Sequence, residues 1–248
     1  ITQLGSTLIN TQRAVPEFIN LALQTLVKSF VPPYRMKEVF RQIYFVANQS
    51  AFIVALCVSF AAMVTILEAS FHMRLVIQND NMVPGFAALL ILRELGSVIA
   101  ALLITSRVGA GLAAEVGTMQ ITEQIDALKM LSLDPIKFVV VPRFLACIFG
   151  GFLLSIVSNL VCLFCAMAVS TIKLGYTPGS FLTAMRAFVH FQDLVFAIVK
   201  GMVFGAVIPL FSCYHGFRCK AGAEGVGLAT TNSVVSTSVA VIVLDFSM

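Results

Sequence analysis

"GLAAEVGTMQITEQIDALKMLSLDP", residues 111–135, decides how the chain is read. It carries four of the 12 acidic residues, Glu115, Glu123, Asp126 and Asp134, and Glu94 lies just upstream as a fifth. Long apolar segments flank it on both sides. Within it, Ile121, Ile125 and Leu128 recur at i, i+4 and i+7, one face of a helix, while Glu123, Gln124 and Asp126 lie off that stripe. Thr118 after Gly117 reads as an N-cap. Asp134-Pro135 reads as the cap and first residue of the next helix. The stretch is therefore expected to form a short amphipathic helix, residues 117–131. Such a helix lies flat on lipid or docks in a groove of another protein; the bland reading is an ordered loop over the ends of its neighbours.

The flanks say which setting this is. The chain has 248 residues, 59% hydrophobic and only 11% charged. Soluble domains carry about 25% charged residues, so this chain lacks the polar surface of a water-exposed globule. Five apolar runs approach or exceed the ~20 residues that a helix needs to cross a bilayer. They are residues 43–67, 82–104, 144–172, 194–214 and 225–248. A helix satisfies its own backbone hydrogen bonds, so five such runs predict five membrane helices. The opening "ITQLGSTLIN" has no basic segment followed by an apolar core and does not read as a signal peptide. Net charge is +4, with no Lys/Arg block, which gives no sign of nucleic acid. Cys162 and Cys165 have CxxC spacing, but "NLVCLFCAMAV" reads as lipid-embedded helix, so no metal and no disulfide framework is expected.

Ahead of the first run, Val15, Ile19, Ala22 and Leu26 recur at helical spacing, with Glu17, Gln24 and Lys28 elsewhere on the wheel. Residues 1–31 are thus expected to form an amphipathic helix lying in the membrane interface, ended by Pro32-Pro33. Short-loop Lys and Arg set orientation. With the N-terminal segment cytoplasmic, that side receives Arg13, Lys28, Arg35, Lys37, Arg41, Arg107, Lys129, Lys137, Arg143, Arg218 and Lys220; the other receives only Arg74, Lys173 and Arg186. The 117–131 helix then faces the cytoplasm and the C-terminus the opposite side.

Charges inside the runs cost a few kcal/mol or more unless paired or set in a polar cavity. Arg93-Glu94, Lys200 and Asp245 are such charges. Arg93-Glu94 is expected beside a substrate path. For Lys200 and Asp245, a role in moving helices and a purely structural pairing stand level. His72, His190 and His215 are too dispersed to suggest a catalytic set. "GAEGVG", residues 222–227, has no following Lys-Ser/Thr and reads as a tight turn, not as a phosphate cradle.

Two blocks carry a resemblance. "LRELGSVIAALLITSRVGAGLAAEVGTMQITEQIDALKMLSLDPIKFVVVPR" and "KGMVFGAVIPLFSCYHGFRCKAGAEGVGLATTNSVV" together run from about Arg93 to Val235. They resemble the MlaE (YrbE-type) permeases, membrane subunits of bacterial ABC transporters that work with MCE-domain proteins. Ser97 stands where that family usually has Pro, and Glu68 where a neutral residue is usual. The resemblance implies an inner-membrane homodimer above two cytoplasmic ATPase subunits that bind ATP and Mg, since this chain has no phosphate loop or cofactor of its own. It implies an MCE protein on the periplasmic side, in some systems a STAS protein on the ATPases, and phospholipid or a related lipid as cargo. Glu115, Gly117, Thr118, Glu123, Gln124 and Asp126 match the coupling helix that seats in the ATPase. A lipid path is expected at the dimer interface. Phe52, Leu56, Phe60 and Met63 of the first span would meet acyl chains, with Arg93 and Glu94 nearby. Thr230, Thr231, Asn232, Ser233, Ser236, Thr237 and Ser238 of the fifth span would allow close helix approach. An ion-driven secondary transporter and a non-transporting scaffold are the rivals; the first usually shows an internal repeat, and none is evident.

Overall fold

Among the described residues, the five apolar runs become five helices long and apolar enough to cross a membrane: Met36–Met73, Val83–Ile121, Ile136–Leu174, Phe191–Phe217 and Ala223–Ser247. The structure is a computed structural model and describes residues 2–32, 35–76, 82–220 and 222–248. Pro33 lies outside the described residues, as do the side chains of Arg13 and Arg74. The chain is an all-α, multi-pass membrane protein, with no strand among the described residues. The helices outrun the apolar segments because a helix closes its hydrogen bonds locally in water as in lipid. Apolar run length therefore marks the core of a span and not its ends.

In chain order the helices are α1 (Thr2–Ser29), α2 (Met36–Val76), α3 (Val83–Leu90), α4 (Gly96–Ile104), α5 (Ala110–Ile121), α6 (Gln124–Met130), α7 (Val141–Leu174), α8 (Pro178–Phe188), α9 (Phe191–Phe217) and α10 (Ala223–Ser247). Among the described residues three π turns occur: Ile91–Leu95 between α3 and α4, Thr105–Gly109 between α4 and α5, and Ile136–Val140 leading into α7. In the first, the Gly96 N–H reaches back five residues to the Ile91 carbonyl. Such widened turns loosen the i→i−4 ladder and recur at functional positions.

The chain divides into two compact units. One comprises Ile1–Ile43, Thr105–Cys147 and Ala206–Ala240. Its core is Val116, Ile125, Val139, Val140 and Cys213. α5 approaches the end of α9 closely: a Cβ on Gly216 would lie 2.7 Å from Val116 Cβ, and one on Gly117 would lie 3.4 Å from Cys219. α1 packs through Phe18, stacked on Phe211 at 4.3 Å and edge-on to Tyr214, and through buried Thr25 and Ser29. Val15, Ile19, Leu23, Leu26 and Phe30 form its exposed face. The apolar stripe expected from the sequence is therefore the outward face, and Phe18 with small polar residues makes the inward one. Gly222, at φ +99°, opens the turn into α10, a backbone state that suits glycine.

The second unit comprises Tyr44–Ile104, Ile148–Gly205 and Val241–Met248. Ala101, Phe204 and Val241 form one of its buried clusters. α7 and α9 meet at small residues: a Cβ on Gly151 would lie 2.5 Å from the Gly201 carbonyl oxygen, and one on Gly201 would lie 2.5 Å from Ser155 Cβ. Helices in lipid lack a hydrophobic drive to associate and depend on such close backbone approach. Gly201→Ala is expected to destabilise the protein by about 1–3 kcal/mol through overpacking. Thermal unfolding in detergent reads this, and an unchanged midpoint would refute the tight crossing. α8 had no counterpart in the sequence expectations. Thr177 caps it, accepting from Ser180 N–H at 3.2 Å, Pro178 opens it, and buried Phe181 anchors it.

Candidate functional site

The segment 117–131 is two pieces of helix and not the single one expected. α5 runs on to Ile121, and the chain reverses at Thr122-Glu123, with Glu123 in the left-handed region at φ +59°. α6 begins only at Gln124. Thr118 is no N-cap: its hydroxyl donates back to the Ala114 carbonyl at 2.8 Å, inside α5. Asp134 does cap the next helix, accepting from Ile136 N–H at 3.0 Å. The apolar stripe holds α6 down: Ile125 is buried and Leu128 packs on the same core.

Glu123, Gln124 and Asp126 are exposed, as is Thr118. Asp126 pairs with Lys129 at 2.7 Å along α6. Gly117, expected at a contact surface, is instead buried against Cys219. Glu115 is tied to Arg143 at 2.8 Å. Arg143 is buried and donates to the Val139 carbonyl at 3.2 Å, so this pair clamps α5 to the start of α7. Glu115, Thr118 and Gln124 share an open cavity of about 690 Å³ with Arg41 and Arg143. The sequence reading missed Met130 and Leu131, which are 87% and 70% exposed at the end of α6. Their signal was present, since both fall off the Ile121, Ile125, Leu128 stripe.

The same unit tethers this segment to α1. Lys28 and Asp134 form an ion pair. Burial pushes the Asp134 carboxyl up, but hydrogen bonds from Lys28 and from the Ile136 and Lys137 N–H groups, with the Lys28 charge, outweigh it and hold it below its usual value. A depressed carboxyl stabilises the fold above its unfolded pKa, and that contribution fades only as pH falls through the folded pKa.

The intramembrane charges of the second unit form one cluster. Lys200 is 1% exposed. Its Nζ donates to Asp245 Oδ1 at 2.6 Å, to the Arg93 carbonyl at 3.0 Å and to Glu94 at 3.4 Å, and lies 5.1 Å from the Phe196 ring centre. The π turn supplies the Arg93 carbonyl, and nearby Ser158 donates to the Gly96 carbonyl at 2.6 Å. Arg93 approaches Asp193 at 3.9 Å. These groups surround an open cavity of about 490 Å³ lined also by Phe196, Ile242 and Phe246. Ser97 is buried, and among the described residues its hydroxyl finds no partner.

The chain does not bring every expected path residue together. Phe52, Leu56 and Phe60 are exposed on α2, and Met63 is half-buried. Among the described residues, none on α2 lines the cavity at Arg93 and Glu94. On α10, Ser233 and Thr237 are fully buried. Ser233 donates to Ser212 at 3.1 Å and Ser236 meets His215 at 3.1 Å. Ser233 and Ser236 of the fifth span thus meet α9 of the same chain, the hydroxyls of Thr230, Thr231 and Thr237 donate to carbonyls of α10 itself, and Thr231 and Asn232 stay exposed. Cys162 donates to the Val58 carbonyl at 3.4 Å, a packing role.

Sequence comparison bears on this arrangement. Residues 39–248 match the family described as Permease MlaE. A probable ABC transporter permease protein of Rickettsia typhi is 34% identical over 92% of this chain and 87% of its own. A probable ABC transporter permease protein of Synechocystis is 39% identical over 66% of this chain and 62% of its own. The intermembrane phospholipid transport system permease protein MlaE of Haemophilus influenzae is 32% identical over 83% of this chain and 79% of its own. The match spans all five membrane helices, and the chain belongs to the MlaE permease family.

Proposed function

We propose that this chain is the permease subunit of an ABC transporter that moves phospholipid, with two copies joined above two separate ATPase subunits. The observation that carries the reading is α6. It is held from beneath by Ile125 and Leu128 while Glu123, Gln124, Asp126, Met130 and Leu131 are left exposed. A seven-residue helix with a mixed acidic and apolar exposed face suits a docking lever. ATP and Mg bound in the partner would drive closure there, and the motion would pass to the membrane helices. The relative from Haemophilus influenzae, named for phospholipid transport, supports the cargo class.

On this reading the exposed α2 face carries acyl chains at the dimer interface, and the Arg93, Glu94, Lys200, Asp245 cluster borders the polar end of the path. An MCE protein meets the assembly on the periplasmic side, and a STAS protein binds the ATPases in some systems. The N-terminus faces the cytoplasm and the C-terminus the periplasm of a bacterial inner membrane, following the basic-residue bias. The exposed apolar face of α1 rests in the interface.

The test is co-purification. An ABC ATPase subunit co-expressed from the same source should be retained on the tagged wild-type protein. Replacing Met130 and Leu131 with Ser should lower retention several-fold without changing the amount of inserted permease, because truncating central apolar anchors of an interface typically costs more than 1 kcal/mol each. Full retention by the double variant would remove α6 from the interface. Transport by the chain without any ATPase would overturn the reading as a whole.

A further inference from the structure

The unit that holds α6 contains a second, smaller cavity of about 260 Å³. Val39, Val141 and Leu145 give it an apolar wall. These residues lie in the first three turns of the first and third membrane helices, at or just ahead of the apolar runs that begin at residues 43 and 144. Lys28, Arg35 and Lys137 stand around the cavity, and Asp134 is the one acid among its described lining residues.

The charges do not cancel. Asp134 is taken by Lys28. Arg35 is stacked on the Phe138 ring at 3.9 Å, and Lys137 donates to the Pro32 carbonyl at 3.3 Å. Neither has a carboxylate partner among the described residues. A ring and a carbonyl therefore fix two cations at the edge of an apolar crevice.

We propose that this cavity binds an anionic phospholipid of the cytoplasmic leaflet, with the headgroup phosphate between Arg35 and Lys137 and the upper part of one acyl chain against Val39, Val141 and Leu145. Charge complementarity selects the occupant. A soluble anion has no use for the apolar wall, and a zwitterionic lipid brings no net charge to two uncancelled cations. Basic pockets at the ends of membrane helices take acidic headgroups for this reason. The volume is below that of a drug-sized ligand site, typically about 300–1,000 Å³, so the rest of the lipid stays in the bilayer. Its residues all belong to the first compact unit, whereas Arg93, Glu94 and Lys200 belong to the second. The bound lipid would brace α1 against α2 and the start of α7, beside the α6 lever.

The experiment is thermal unfolding of the purified full chain, with the subunits that accompany it, in dodecyl maltoside. Dioleoyl phosphatidylglycerol near a hundredfold over its Kd should raise the midpoint by about 5 °C. Equal dioleoyl phosphatidylcholine should give less than a third of that, and glycerol 3-phosphate no shift. The Arg35→Gln, Lys137→Gln double variant should lose the phosphatidylglycerol shift. Leu145→Trp, which fills the apolar wall and keeps both cations, should lose it as well, and it serves alone if the double variant does not fold. Equal shifts with the two lipids, a full shift with glycerol phosphate, or a full phosphatidylglycerol shift in either variant would overturn the proposal. So would unchanged lipid shifts in a double variant that has lost only its ATPase, since the cations would then serve protein docking.

Discussion

Lys200→Met is expected to be the most damaging single substitution in the membrane core, destabilising the protein by about 3–5 kcal/mol. Lys200 answers three acceptors at once, and it is the most deeply buried member of the cluster. Removing it leaves Asp245, only 20% exposed, as an uncompensated charge and strips the Arg93 carbonyl of its donor. Glu94 is half exposed and contributes little to that cost. The rescue separates charge balance from a specific role for the ammonium. In Lys200→Met, Asp245→Leu the uncompensated charge is gone, and stability should recover by more than half, because a buried pair replaced by apolar residues is often neutral or better. Transport should not recover if the cluster borders the cargo path. Thermal unfolding and vesicle lipid transport read the two quantities separately. A single variant as stable as wild type would refute the pairing, and a stable double variant with full transport would reduce the cluster to a structural clasp.

Glu123→Lys with Asp126→Lys is expected to lower ATPase retention at least tenfold while leaving insertion and yield unchanged. Both side chains are exposed, and the Asp126–Lys129 pair is a surface i, i+3 contact worth a few tenths of a kcal/mol. The fold loses little. At a docking face, reversed charges meet like charges, which costs several kcal/mol. Glu123 needs one more control because its backbone is left-handed. Glu123→Gly relieves about 1 kcal/mol of backbone cost while it removes the charge. If docking falls in Glu123→Gly as the turn becomes more stable, the carboxylate matters; if docking is untouched, only the turn does. Normal complex yield in the Lys double variant would exclude α6 acids from the interface.

The spans were legible because membrane helices must be long and apolar, and the intramembrane charges because their cost forces them into company. Lys200 with Asp245 is the clearest instance: the cost called for a partner or a polar cavity, and Lys200 Nζ donates to Asp245 Oδ1 at 2.6 Å. The break between α5 and α6 was not legible. A left-handed residue after a helix is usually Gly or Asn, and Glu123 is neither, so Gly117-Thr118 drew the boundary instead. α8 escaped because its Thr177-Pro178 start lay in a segment too short and polar to count as a span. The fifth-span Ser and Thr residues signal close helix approach without saying to which helix. Ser233 and Thr237 use that freedom within the chain.

The π turn at Ile91–Leu95 makes one odd residue a gauge of angular alignment. An α-helix advances about 100° per residue, and a widened turn holds one residue more than an ordinary turn of the same helix. A chain shorter by a single residue there would close into ordinary α-helix with nothing broken. Arg93 and Glu94 would nonetheless be swung by about that angle relative to α4, away from Lys200 on one side or Gly96 away from Ser158 on the other. The alignment of the charge cluster with the Gly96–Ser158 contact is thus written in the count of residues between two fixed points, and substitution alone cannot retune it.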